Sequence, residues 1–371
     1  MNASTMSRQL ARAGRGSMKA ARRIWDLTTD QRLSQSYYPD EPTKSKPRVL
    51  MELLWWLVRS GEINNYYYVY GLDRKSVDRR QELLPYRKFR RIRNTHNLRI
   101  GRAPYNYVCV LRDKFVFSQF VGSLGIATPR SLALLDADRV TWLDTNVTVP
   151  LRSIIDRAEV TLDGFCKKLG GIQGDGAFPL RIDAGSLFVR DARISVSELR
   201  NRLDDRYLLQ ERIRQHEGMS ALHPGSVNTI RLVTFARGAA VELFAAAMRV
   251  GTKGKSVDNW AAGGLIVGID PARGELRGEG FYKPGYGGRM RRHPDSGIEL
   301  QGFKIPYFTE AVALATRLHG YLSEIHSIGW DVAITPDGPT IIEGNDDWEG
   351  GIPMVLERDF RKRFLEMCRS R

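Results

Sequence analysis

Three cysteines, Cys109, Cys166 and Cys368, are all that the chain holds in 371 residues. Standing far apart, they exclude a disulfide framework and make no metal-ligand spacing, which points to a reducing compartment and a cytoplasmic protein. Long apolar runs are missing as well. The longest candidate, VLMELLWWLV at Val49–Val58, contains Glu52 and is about half the length a bilayer span needs, so a buried helix is expected there. Acids are absent from two stretches rich in bases. The first 25 residues hold six basic residues and no acid, and Arg87–Arg102 holds seven and no acid. With a net charge of +15, such clusters are expected to attract an anionic membrane surface or an acidic polysaccharide, with no specific nucleic acid implied. A solvated basic face without a partner fits them too. The N-terminal stretch has the Arg-rich, acid-poor texture of an organellar presequence, but a surface arm is the expected reading. A phosphate-loop NTPase is excluded: in GTKGKS (Gly251–Ser256) the Gly-Lys-Ser is present, but Arg249 stands where the motif needs glycine. Neither an internal repeat nor a long low-complexity tract is found.

The hydrophobic fraction of 42% suffices for a core of two or three lobes. Residues 1–105 read as a basic, mainly helical region, interrupted by the Pro-rich YYPDEPTKSKPR at Tyr37–Arg48, with VDRRQELLPYRKFRRI continuing in helical style. From Tyr107 the texture changes. YVCVL is expected as a short strand and Arg112–Pro129 as a helix closed by a glycine turn. Strands are then expected within Glu159–Lys168, Ser186–Asp191, Tyr207–Ile213, Thr229–Arg237, Ala240–Val250 and Gly263–Ile269. Thr309–Ile325 is the clearest amphipathic helix.

GWDVAITPDGPTIIEGNDD (Gly329–Asp347) reads as a hairpin. A three-residue loop at Thr335-Pro336-Asp337-Gly338 would set Asp331 directly opposite Glu343, with Asn345 on the same side; a two-residue loop would put the acids on opposite faces. Facing carboxylates repel unless a cation lies between them, and Asp, Glu and an Asn carbonyl suit a hard divalent ion. An ordinary surface hairpin with charged ends fits equally well. Cys166–Phe178 (CKKLGGIQGDGAF) places Lys167 and Lys168 at a strand end before a glycine-rich loop containing Gly174 and Gly176. Such a loop lets backbone N–H groups approach phosphate, although most such loops are simple turns. Arg231 and Arg249 fall on two strands able to pair through ARGAA. Beside a triphosphate they would stabilise charge developing in phosphoryl transfer.

Taken in order, RDKFVFSQFVGSLGIATP, CKKLGGIQGDGAF, LLQERIRQHEGM, HPGSVNTIRLVT, VDNWAAGGLIVGID and GWDVAITPDGPTIIEGN resemble the ATP-grasp superfamily, in particular its sugar-transfer-associated branch. The resemblance implies an α+β fold in which two lobes clasp ATP, residues 106–371 forming that domain. It implies ATP and Mg²⁺, or Mn²⁺ in its place, as cofactors, and a carboxylate activated as an acyl phosphate and then captured by an amine or similar nucleophile. By position, Lys114 and Lys167 (or Lys168) match phosphate-binding lysines. Gln210, Glu211 and Ile213 match the segment lining adenine, and Glu217 a ribose-binding acid. Arg231 and Arg249 match the phosphate arginines, Asn259, Gly263 and Gly264 the loop near the reacting phosphate, and Asp331, Glu343 and Asn345 the magnesium ligands. The implied acceptor is a small molecule or saccharide of acidic character, bound in part by the basic insert Lys283–Gly297, where His293 reads as a loop-structuring residue. The rival readings are a phosphotransferase acting on a hydroxyl and a non-catalytic polyanion binder.

Overall fold

The structure, a computed structural model, describes residues 18–99, 106–156, 161–171, 174–255 and 257–369. Most of the acid-free N-terminal stretch therefore lies outside the described residues. The chain opens with helix α1 at residues 18–29, followed by α2 (Lys46–Ser60), α3 (Tyr86–Asn97), α4 (Val108–Arg112) and α5 (Lys114–Ser123). Two antiparallel sheets follow. The first comprises β1 (Ser131–Leu135), β2 (Arg139–Trp142), β3 (Val147–Pro150), β4 (Leu162–Lys168), β5 (Phe178–Asp183), β6 (Ser186–Val189), β7 (Ala192–Ile194) and β8 (Tyr207–Glu211), in the order β3-β2-β1-β8-β4-β5-β6-β7. The second comprises β9 (Thr229–Arg237), β10 (Ala240–Val250), β11 (Leu265–Asp270), β12 (Glu275–Tyr282), β13 (Arg289–Met290), β14 (Ser327–Thr335) and β15 (Gly338–Asn345), in the order β13-β12-β11-β10-β9-β14-β15. Helices α6 (Val196–Arg202), α7 (Glu217–Leu222), α8 (Phe308–Gly320), α9 (Gly351–Leu356) and α10 (Phe360–Arg369) complete the fold.

The second sheet is buried on both sides, and strand alternation assigns each residue to a side. Ile230, Leu232, Met248, Ile328, Trp330, Val332 and Ile341 join α8 residues such as Ala311 and Leu318 in one core. Val233, Phe235, Ala245 and Ala247 face the other way, into a core shared with Leu27, Leu53, Phe89, Trp348, Phe360 and Phe364. The N-terminal helices thus share a core with the second sheet. Phe89 of α3 is fully buried, edge-on to Trp348 with ring centroids 5.0 Å apart; truncating such a side chain to alanine costs about 3–5 kcal/mol. Arg93, one turn on, is 1% exposed. Its guanidinium donates to the Trp348 carbonyl and pairs with Asp347. One arginine of the second basic cluster is therefore an internal fastener, while Arg87, Lys88 and Arg91 remain on the surface.

Three local expectations are corrected. YVCVL is helical, forming α4: Asn106 Oδ1 accepts the Val108 N–H, and Val108 and Leu111 reach the core on one helical face. Residues 77–85 are extended and turn-like, and α3 begins only after Pro85, whose fixed φ suits the residue before a helix. The Val49–Val58 run lies in a helix, but only Val49, Glu52, Leu53 and Trp56 are buried, with Met51 and Val58 on the surface. Glu52 is tolerated inside because Lys44 Nζ, at 3.0 Å, and Tyr67 OH, at 2.7 Å, donate to it. Among the described residues no helix is long and apolar enough to cross a membrane.

Candidate active site

Three adjacent strands set a row of charges across the second sheet. Asp331 on β14 is the register partner of Arg231 on β9 and of Glu343 on β15, while Arg231 pairs with Ala247 on β10. Arg249 lies two residues along β10 from Ala247, on the same face. The Asp331–Glu343 pairing arises by a different route from the one the turn suggests. The loop has two residues, with Thr335 opposite Gly338, and a β-bulge between Asp331 and Val332 leaves Ile342 unpaired. Without that extra residue Ile342 would face Asp331, and Glu343 would point into the core beside Trp330. The bulge re-aims the carboxylate, a common device next to active sites. Gly344 must be small, because a Cβ there would lie 2.7 Å from the Trp330 ring.

The electrostatics of the row are severe. Arg231 Nε is 2.6 Å from Asp331 Oδ1, and Arg249 Nη2 is 2.9 Å from Asp331 Oδ2. Burial alone would raise the Asp331 pKa, but the two guanidiniums outweigh it and hold the carboxyl below the usual range. Glu343 moves the other way. Burial and the neighbouring Asp331 charge raise it. Lys114 and Lys167 partly offset that rise, which places both ammonium groups on this side of the sheet. Burial lowers Lys167 below the ordinary lysine range, with Glu343 opposing and Lys114 reinforcing the effect. Asn345 Nδ2 donates to Glu343 Oε1 at 3.3 Å.

Lys167 comes from β4 of the first sheet, and Lys114 from α5, whose Phe117 and Val121 belong to a core of the second sheet. Asp113 caps α5, accepting from the Phe115 and Val116 amides, and so fixes Lys114 at the first helical position. The Lys114 backbone N–H and Nζ then bind the Leu169 and Gly171 carbonyls, tying the helix to the loop after β4. Lys167 and Lys168 alternate on β4. Lys167 faces the carboxylates, while Lys168 bonds Asp204 at 2.8 Å and Asp175 at 3.4 Å.

The sequence profile of the family described as sugar-transfer associated ATP-grasp matches residues 94–369. The chain belongs to that family. Enzymes of the ATP-grasp superfamily use ATP and Mg²⁺, and the fold described here is the ATP-grasp fold. No curated protein matches the sequence. Similar solved structures include N5-carboxyaminoimidazole ribonucleotide synthetase in its ADP complex, at 12% identity and a TM-score of 0.41, covering 71% of this chain and 53% of that one. L-amino acid ligase from Bacillus licheniformis follows at 11% and 0.38, covering 68% and 44%. D-alanine-D-alanine ligase from Helicobacter pylori stands at 10% and 0.39, covering 71% and 59%. The chain spans about half the length of these structures, and no substrate is carried over from them.

In this ATP-grasp chain the remaining motif residues fall into distinct settings. Gln210 on β8 is buried, its amide donating to the Pro129 carbonyl at 3.1 Å, whereas Glu211 is exposed and pairs with Arg130 at 3.2 Å. Ile213 lies half-buried in the link from β8 to α7, and Glu217, exposed, is the first residue of α7. Gly174 and Gly176 both take positive φ in the loop after β4, and a Cβ on Gly176 would meet Lys168 at 2.5 Å. Asn259 caps its own turn, accepting from the Ala261 amide at 2.9 Å. Gly263 closes that turn at φ 94°, and Gly264 packs so tightly that a Cβ would lie 2.3 Å from the Asp258 carbonyl. His293 is buried, with Nε2 on the Gly251 carbonyl at 2.8 Å.

Sequence reasoning passed over Asp258 and Thr229. Asp258 Oδ2 accepts from the Thr229 backbone N–H at 3.0 Å and from its hydroxyl, and lies 3.5 Å from Arg249 Nε. Arg249 Nε and Nη2 both donate to Thr229 Oγ1, at 2.9 and 2.8 Å. The only advance signal was an acid immediately before Asn259.

Proposed function

We propose that the chain is an ADP-forming, ATP- and Mg²⁺-dependent ligase that activates a carboxylate as an acyl phosphate and joins it to an amine or similar nucleophile on a sugar- or polysaccharide-related substrate. The observation that carries this reading is the buried Glu343–Asp331–Arg231 row with Arg249 beside it, with Lys167 of the first sheet and Lys114 of α5 near Glu343. Two carboxyls set opposite each other in a protein interior are a poor arrangement for stability but a good one for a hard cation held between them. The donor set therefore fits Mg²⁺, with Asp331, Glu343 and Asn345 as its protein ligands. When bound, the ion neutralises phosphate charge and polarises the P–O bond under attack.

Everything else is done by the chain's own groups. Lys114 and Lys167 receive phosphate oxygens, and desolvation of Lys167 is reversed once an anion lies against it. Arg231 and Arg249 meet the charge that develops as the phosphoryl group moves, and pairing with Asp331 and Thr229 holds their planar forks in place beforehand. The glycine loop after β4 and the link from β8 to α7 supply backbone groups around the nucleotide and exclude water from the reactive acyl phosphate.

The test is ADP release across a panel of carboxylates and amines, with hydroxylamine present to trap the activated carboxylate. A hydroxamate formed only with ATP and Mg²⁺ is the expected outcome. A stable phosphorylated alcohol with no hydroxamate would replace this reading by a phosphotransferase on the same fold.

A further inference from the structure

Tyr66 stacks on Trp260 with ring centroids 5.6 Å apart and planes 21° apart. Trp260 directly follows Asn259 in the loop that carries Asp258. Beside Tyr66 an open cleft of about 960 Å³ lies among the N-terminal helices, Lys283, Pro284 and Glu349. It lies on the same face of the second sheet as Asp331 and Arg231, because Trp260, Trp56 and Val233 belong to the core on that side.

Five cations line the cleft: Lys19, Arg23, Arg87, Arg90 and Lys283. Three acids oppose them and all are engaged: Glu62 and Glu349 in the lining, and Asp347, 3.7 Å from Arg90. Glu62 accepts the Arg87 backbone N–H at 2.8 Å, and Glu349 accepts the Tyr86 hydroxyl at 3.0 Å and the Gly351 amide at 2.8 Å. Among the described residues Arg23 bonds only the Asn65 side-chain oxygen, at 2.7 Å. Lys19 and Lys283 have no acidic partner among the described residues. A concave wall with surplus positive charge attracts an anion. Tyr66, Tyr86 and Trp56 add flat apolar faces to the same wall, and Trp56 Nε1 and Asn64 Nδ2 are buried there without a hydrogen-bond acceptor. Aromatic faces with a few polar groups are what a ring-bearing small molecule requires, and the volume suits one.

We propose that this cleft, built by the N-terminal helices, Lys283 and Glu349, binds the second substrate: an anionic compound whose carboxylate or phosphate group is carried on a sugar or aromatic ring. This rests on the ligase reading for its role, though not for its binding chemistry. The cations take the anionic group, the aromatic faces take the ring, and the stack of Tyr66 on Trp260 connects the cleft to the loop that carries Asp258.

Calorimetry without ATP tests it, using glucuronic acid 1-phosphate, phenyl phosphate, methyl glucoside and inorganic phosphate. Either or both ring anions should bind at least tenfold more tightly than methyl glucoside or inorganic phosphate, and which of them binds distinguishes a sugar from an aromatic ring. The triple variant Lys19→Glu, Arg90→Glu, Lys283→Glu should weaken that binding at least tenfold, whereas Glu343→Gln should retain it. Failure of both ring anions to bind at 10 mM, equal binding of inorganic phosphate, or unaltered binding by the folded triple variant overturns the proposal. Cleft binding in a protein that releases no ADP with any carboxylate would remove the ligase reading and leave the cleft standing. ADP release and hydroxamate formation without cleft binding would do the reverse.

Discussion

Two buried charged clusters lie near one end of the β14–β15 hairpin, and they solve the problem of buried charge in opposite ways. The first joins α3 to the hairpin. Asn97 Nδ2 donates to the Ser327 and Asp346 carbonyls, both at 2.8 Å, and its Oδ1 accepts the Ser327 N–H at 2.9 Å. Arg112 holds Asp346 through two bonds of 3.0 and 2.7 Å. Its hydrogen-bonding capacity is thus spent within the fold. The second cluster is Asp331, Glu343, Arg231 and Arg249. Its opposite charges are adjacent, yet Arg231 Nε and Asp331 Oδ1 are buried without a well-formed hydrogen bond, and two carboxyls are pressed together. A network that is complete by itself fastens structure. One that is matched in charge but incomplete in hydrogen bonding keeps polar capacity that the fold does not use.

The contrast breaks most readily at Glu343. Glu343→Gln should reduce ADP release on the order of a thousandfold, while thermal unfolding stays level or rises, since a carboxyl contact is relieved. Normal turnover by this variant would make the second cluster merely structural. Arg249→Lys keeps the charge and loses the planar fork, so turnover should fall on the order of a hundredfold, about 3 kcal/mol, with the KM for ATP near normal. A change confined to KM would mean that the arginine serves ground-state binding instead.

At the structural cluster the expected loss moves from activity to stability. Asn97→Ala removes four buried hydrogen bonds, three of them to backbone groups, and should cost about 2–3 kcal/mol in denaturant unfolding. Activity per folded molecule should stay within about twofold of normal. If activity collapsed while stability held, the two clusters would have exchanged roles.

The smallest effect concerns a third buried polar set, on the opposite face of the sheet. There Trp330 Nε1 donates to Thr234 Oγ1, that oxygen meets His319 Nδ1 at 2.7 Å, and His319 Nε2 meets the Ile325 carbonyl at 2.8 Å. Burial pushes His319 down from 6.5 to about 4. The unfolded chain then takes up this proton first as pH falls. The contribution is complete above about 6.5 and is lost from there toward about 4, at roughly 1 kcal/mol per pH unit. His319→Gln should flatten the acid limb of the stability curve by that amount and leave the neutral region parallel to wild type.

Much of the site could be read before folding because strand period and residue type are local properties. Thr229–Arg237 and Ala240–Val250 alternate or run apolar between turn residues and are strands with those bounds, which puts Arg231 and Arg249 on one hairpin. The acid, acid and amide of Asp331, Glu343 and Asn345 were visible as a donor set. YVCVL misled because a five-residue apolar run has no period long enough to separate helix from strand.

What the sequence determined by itself was therefore the inventory: a basic chain without a disulfide framework, two sets of strands with a helical approach, and oxygen donors, lysines and arginines that resemble those of an ATP-grasp site in family order. Tertiary structure decided which of these meet. It selected Lys167 over Lys168, because alternation places neighbours on opposite faces but only the packed sheets determine which face meets the carboxylates. It brought Asp258 and Thr229 to Arg249 from separate parts of the chain. It turned Arg93 inward by burying Phe89 against Trp348. It also set Glu343 beside Asp331 through the bulge at Ile342, because hairpin register is a compromise between the turn and the demands of both buried faces, and only the assembled sheet imposes the second.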